Sequence, residues 1–253
     1  MEFTAYTAVY IHIQERREGM NWLTITKFIA GAGIGLGIGN LAENLAGRLL
    51  AKRNIESEGP KYSWIPLAAA AAVCAAAALV IPTDWNLVYV YINVFLLLTL
   101  SITDIRCRII PNDIVLGIFA AKLIFSVPAM LGLNGFPQVD LKSSLIGMAG
   151  FFILYMLPAL FGGAVGFGDV KLAAALGFTL GLGSSLICVC LMGLPFLAYI
   201  IVRRMLAPCP AEAKLGEILR TRLPMGPVFA ACAAAVLITG YAVPLSTLTG
   251  MAI

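Results

Sequence analysis

Apolar residues run along this chain in long blocks rich in Ala, Leu and Gly, broken by short polar stretches. The blocks fall near 23–41, 65–82, 86–103, 113–133, 142–160, 170–183, 184–202 and 225–243, the sixth being short. A helix needs roughly 20 mostly apolar residues to cross a bilayer. None of the blocks shows the alternating ten-residue pattern of a membrane barrel, and backbone groups in hydrocarbon must be bonded internally, so the pattern predicts helices. The expectation is an all-α, polytopic membrane protein with about eight transmembrane helices. It divides into an N-terminal leader at 1–22 and a single membrane-embedded domain over 23–253, with a short loop at 43–64. Small residues such as Gly31, Gly33, Gly35, Gly37 and Gly39 allow helices to approach closely.

Composition agrees with that picture. Apolar residues make up 60% of the chain, charged residues 12%, and the mean hydropathy is +0.94, which leaves too little polar surface for a water-soluble protein. Basic residues near helix ends mark the cytoplasmic side. With the first loop inside, twelve Lys and Arg lie inward, including Arg48, Lys52, Arg106, Arg108 and Lys171, against four outward, Arg16, Arg17, Lys27 and Lys142. Both termini then face outward. Lys122 lies within the fourth helix, facing the bundle or snorkelling. The formal charge of +4 reflects topology and contact with anionic lipid, and gives no reason to invoke nucleic acid. Glu15-Arg16-Arg17-Glu18-Gly19 directly precedes Met20, in codons compatible with a ribosome-binding site, which points to Met20 as the natural start.

The six cysteines form no Cys-x-x-Cys pair, and Cys188 and Cys190, two apart, point to different helix faces. Neither a structural metal nor a disulfide framework is expected. The single histidine, His12, lies in the N-terminal segment, so Ser-His and Cys-His chemistries lack a base.

Carboxylates near helix ends are Asp84, Asp104, Asp113, Asp140 and Asp169, and the topology puts Asp104, Asp113 and Asp169 on the inner side. Asp113 follows Pro111-Asn112 and suits the first turn of a helix. Asp169 suits one too, but its lead-in from Gly162 to Gly168 has little side chain to pack and leaves room for a substrate backbone. Two adjacent carboxyls that share a proton can divide the work of peptide hydrolysis, one activating water and the other protonating the carbonyl oxygen. Asp169, at a helix N-terminus with Lys171 nearby, is the expected carboxylate, and Asp104, at a helix C-terminus, the expected acid. The bland alternative for both is a polar flank at the membrane interface.

Thr103-Asp104-Ile105-Arg106-Cys107-Arg108-Ile109-Ile110-Pro111-Asn112 and Gly166-Phe167-Gly168-Asp169-Val170-Lys171-Leu172 together resemble the two aspartate segments of the type IV prepilin leader peptidases, membrane aspartic proteases of the Gly-x-Gly-Asp type. Gly35-Leu36-Gly37-Ile38-Gly39-Asn40 with Arg48 is similar to that family's first helix, and Arg222-Leu223-Pro224-Met225-Gly226-Pro227 to the entrance of its last. The resemblance implies that 23–253 is a peptidase domain with Asp104 and Asp169 as catalytic residues. Gly166, Gly168, Lys171, Arg106 and Arg108 would be supporting residues, with anchoring favoured for the three cations. It implies cleavage of the leader of prepilins or pseudopilins, after Gly and usually before Phe, at the cytoplasmic face of a bacterial inner membrane. Bifunctional members also methylate the new N-terminus with S-adenosylmethionine and carry two Cys-x-x-Cys pairs in a longer first loop. The segment from Glu43 to Trp64 is short and cysteine-free, which argues against methylation, and proteolysis needs no cofactor. Two other readings stay open: a presenilin-like protease, against which Pro158-Ala159-Leu160 precedes Asp169 rather than following it, and an ion-coupled transporter, for which no inverted repeat is visible.

Overall fold

The computed structural model describes residues 2–55, 64–82, 84–137, 140–160, 166–206 and 225–242, and every element among them is a helix. They are α1 (Glu2–Ala51), α2 (Trp64–Val80), α3 (Trp85–Cys107), α4 (Asn112–Met130), α5 (Leu141–Leu160), α6 (Phe167–Leu206) and α7 (Gly226–Ala242). The lead-in residues 162–165, the loop residue Lys61, Cys209 and the segment Arg222-Leu223-Pro224 lie outside the described residues.

Five helices are long and apolar enough to cross a membrane: the stretches Trp22–Ala51 of α1 and Phe167–Pro195 of α6, together with α3, α4 and α5. Helices α2 and α7 are apolar but shorter. The chain is thus a helical membrane protein, with five such helices where the sequence suggests about eight spans. Part of the difference lies in α6. By length and apolarity Phe167–Pro195 counts as one span, yet it consists of two helical arms that meet at Gly181, close to the division at 183/184 expected from the sequence; the φ of 74° and ψ of 175° there suit glycine alone. The Leu182 N–H released by the break donates to Ser143 Oγ at 3.0 Å, at the start of α5. Beyond it the chain turns back, so that Asp169 in the first arm and Met192 in the second both come to Tyr155 of α5.

At the other end of the chain, α1 is longer than the sequence suggests. It runs unbroken through the expected leader at 1–22 and takes up Glu43 to Ala51 of the expected loop at 43–64. No proline occurs before position 60, and Glu and Arg are good helix formers, so polarity changes along α1 without ending it.

Close packing between the helices follows from small residues in register. Added Cβ atoms at Gly31, Gly35 and Gly39 would lie 2.9 Å from the Cys74 carbonyl oxygen, 2.5 Å from that of Ala70 and 2.8 Å from Leu67 Cα, so this face of α1 seats α2 backbone to backbone. Gly33 and Gly37 face open space and have no part in that contact. A similar approach brings Gly147 of α5 against Gly177 of α6. The main core, with Leu97, Leu100, Ile118, Leu172, Leu176 and Phe229, joins α3, α4, α6 and α7. Large apolar side chains such as Leu116, Ile124, Ile146 and Ile153 point outward, as a lipid-facing surface allows.

Two tight connections set the ends of α3. Asp84 caps its start, accepting from the Asn86 N–H at 2.9 Å. At the other end Arg108 takes a left-handed conformation, φ 53° and ψ 39°, and its N–H donates to the Asp104 carbonyl at 2.8 Å. Pro111, with φ −67°, then starts α4 three residues later, and Asp113 falls in its exposed first turn. The last turn of α3 and the first turn of α4 are thereby fixed at one end of the bundle.

Candidate active site

Asp104 lies in that last turn of α3 and is 5% exposed. Its Oδ2 accepts the Gly226 N–H at 2.7 Å. Gly226 is the first residue of α7, where backbone N–H groups lack partners within the helix and the dipole is positive, so this helix end is a ready site for a carboxylate. The contact depends on glycine: a Cβ at 226 would stand 2.9 Å from both Cβ and Oδ2 of Asp104 and 3.0 Å from Leu100 Cδ2. Position at the end of α3 alone disfavours a negative charge on Asp104, and α7 supplies the opposite influence. That second helix end was not legible along α3.

Asp169 occupies the third position of α6 and is half-buried. Its Oδ2 accepts the Gly166 N–H at 3.1 Å, one half of a capping box. The two carboxylates are therefore held alike, each by a single backbone N–H at a helix N-terminus. Among the described residues, neither Oδ1 has a hydrogen-bond partner. Asp104 and Asp169 stand within electrostatic range of one another, and Asp169 within range of the Tyr155 hydroxyl. Helix α7 packs against both α3 and α6 and brings the two segments together across 65 residues of sequence.

The supporting residues separate into two groups. Arg108 is within electrostatic range of Asp104, Gly166 binds Asp169, and Gly168 lets the start of α6 approach Ile110, whose Cβ would lie 3.2 Å from an added methyl. Arg106 instead forms an ion pair with Glu43 of α1 at 2.9 Å, and Lys171 donates to Asn112 Oδ1 at 3.4 Å. Those two cations tie α3 to α1 and α6 to α4.

An apolar cavity of about 400 Å³ is lined by Tyr155, Val189, Met192, Gly193, Leu197, Met225 and Val228. Tyr155 links it to Asp169, and Met225 precedes the glycine that binds Asp104. Among the described residues there is no cluster of three or more His, Cys, Asp or Glu side chains that could hold a metal ion. Sequence reasoning passed over Tyr155 and Glu43 as members of the site or its frame, and named Gly226 only within the segment that resembles the entrance of the family's last helix. Only Gly226 carried a signal, a glycine set between hydrophobic and proline residues at a helix start.

This is a helical membrane protein with two carboxylates gathered at one end of its bundle. Residues 91–202 match the type IV leader peptidase family, and both aspartates fall inside that stretch. The chain is also similar to a prepilin leader peptidase/N-methyltransferase of Bacillus subtilis (strain 168), 33% identical over 138 residues. That alignment covers 53% of this chain and 52% of the relative, so the chain spans about half the length of the curated relative it matches. No solved structure matches the chain.

Proposed function

We propose that this protein is an aspartic endopeptidase that removes the leader of type IV prepilins or pseudopilins at the cytoplasmic face of a bacterial inner membrane. The observation that carries the reading is that Asp104 and Asp169 stand within electrostatic range of one another, each anchored through one oxygen to a backbone N–H, while among the described residues the other oxygen has no hydrogen-bond partner. Carboxylates in one another's field share a proton and take unequal roles.

In this mechanism Asp169, the more accessible of the two, takes a proton from a water whose oxygen attacks the scissile carbonyl carbon. Asp104 gives its proton to the carbonyl oxygen. Collapse of the tetrahedral species breaks the C–N bond, Asp169 passes its proton to the leaving amine, and Asp104 recovers its own from the hydroxyl. The apolar cavity beside Tyr155 suits the hydrophobic side chain that follows the cut, and the uneven distribution of Lys and Arg supports a cytoplasmic site. The reaction needs no cofactor. S-adenosylmethionine would serve only methylation, and the short, cysteine-free link between α1 and α2 favours a peptidase without it.

The deciding experiment incubates membranes bearing the protein, Asp104→Asn or Asp169→Asn with a prepilin and sizes the product. Both variants should leave the substrate intact while wild type shortens it. Cleavage by either variant at the wild-type rate refutes the paired mechanism. Mature pilin carrying an added methyl, in cells with no other prepilin peptidase, would overturn the view on methylation.

A further inference from the structure

A second cavity, this one polar, lies at the opposite end of the bundle. Asp84 and Asp104 stand at the two ends of α3, about 30 Å apart at 1.5 Å per residue, and the cavity is at the Asp84 end. It measures about 450 Å³ and its lining includes Asp84, Asn86, Tyr89, Lys122, Thr179 and Tyr241.

Most polar groups in its wall already have partners. Asp84 accepts from the backbone and the side-chain amide of Asn86, that amide also donates to the Gly135 carbonyl, and Asn86 Oδ1 accepts from the Tyr241 hydroxyl at 3.2 Å. Thr179 donates to the Ala175 carbonyl. Among the described residues the Ser184 hydroxyl, which is not fully buried, and two buried donors are left over. Lys122 is 7% exposed, and among the described residues its ammonium has no ion pair and no hydrogen-bond acceptor, only the Tyr89 ring at 5.9 Å. The Tyr89 hydroxyl is fully buried beside the Asn93 and Thr179 side chains, and among the described residues it makes no hydrogen bond of ordinary geometry. An ammonium taken out of water without a close counter-charge is unfavourable, and an unpaired ionisable side chain inside a membrane bundle marks a candidate functional site.

The depth of the cavity indicates which anion. Trp85, 52% exposed and stacked on Phe136 at 5.3 Å, marks the membrane interface at the start of α3. Phosphate esters lie at that depth, about one helical turn outward of Tyr89. The Asp84 carboxylate in the same wall disfavours a second negative charge on the ligand. We propose that this cavity binds a phosphate monoanion between the Lys122 ammonium and the Tyr89 hydroxyl, supplied by a phospholipid headgroup or by free phosphate. The site is remote from Asp104 and Asp169 and does not rest on the peptidase reading.

The test uses the full chain in a neutral maltoside detergent. Native mass spectrometry follows retention of dioleoylphosphatidylglycerol against dioleoylglycerol, which has the same tails and no phosphate. Thermal unfolding with inorganic phosphate against chloride provides the second arm. Wild type should retain one phospholipid and no dioleoylglycerol, with binding weakened about tenfold or more in Lys122→Met and less in Tyr89→Phe. If phosphate stabilises wild type and not Lys122→Met while lipid is not retained, the site stands with free phosphate as its source. Should Lys122→Met fail to fold, the Tyr89→Phe comparison decides. Binding of both anions unaffected by the substitutions, or equal retention of the two lipids, overturns the proposal.

Discussion

Replacing Gly226 by alanine would put a methyl group 2.9 Å from Cβ and Oδ2 of Asp104 and 3.0 Å from Leu100 Cδ2. Asp104 is 5% exposed and Leu100 fully buried, so neither can swing into open space, and the first turn of α7 must draw back. That movement breaks the 2.7 Å bond from the Gly226 N–H. A hydrogen bond to an uncharged carboxyl contributes about 0.5–1.5 kcal/mol, which corresponds to roughly a 2- to 10-fold fall in kcat/KM if it holds the protonated Asp104 in the reactive position. The strain itself adds about 1–3 kcal/mol of instability, so prepilin cleavage and thermal unfolding have to be measured on the same detergent-solubilised samples. Gly33→Ala is the matched control, because nothing lies within 4 Å of its added methyl. It should leave both measurements unchanged. A Gly226→Ala enzyme with wild-type kcat/KM, alongside an inactive Asp104→Asn, would show that the start of α7 does not position Asp104.

Three further outcomes follow from the same geometry. Gly35→Ala should destabilise the protein by about 1–3 kcal/mol through overpacking against α2, since its Cβ meets the Ala70 carbonyl oxygen at 2.5 Å; unchanged thermal unfolding would contradict the close seating of α1. Glu43→Gln leaves Arg106, whose side chain is 9% exposed, without its ion pair. A loss of about 1–3 kcal/mol, between the values for exposed and buried pairs, is expected with KM for prepilin unaltered; a raised KM at wild-type stability would instead place the pair in substrate binding. Gly181→Ala forces a side chain into a backbone region that is close to glycine-only and against Ser143 Oγ at 2.9 Å, costing about 1–3 kcal/mol. Full stability in this variant would show that the break in α6 does not require positive φ.

Hydropathy carried the helical class and the approximate places of α2 to α5, because lipid demands long apolar runs and satisfied backbones whatever the helices pack against. Boundaries were harder to read. The end of α1 at Ala51 and the break at Gly181 depend on what each helix meets: Glu43 faces Arg106 from inside a helix, and Ser143 receives the Leu182 N–H at the break. The glycines of α1 illustrate the same limit. All five look alike in a string, yet only Gly31, Gly35 and Gly39 contact α2.

For the site, sequence determined the chemistry on offer: two aspartates in family-like segments, no base for a Ser-His or Cys-His arrangement, and cations concentrated beside the same helix ends. What each cation does was decided in three dimensions, where Arg106 turns to Glu43 and Lys171 to Asn112. So was the setting of Asp104. Its backbone partner comes from a helix that begins 122 residues later, so the field at its carboxyl group includes the positive end of that helix as well as the negative end of its own. Local patterning encodes which segments can be helices, because the bilayer acts on each one separately. The field and free space around a buried carboxylate arise from several helix ends at once, and only packing brings those ends together.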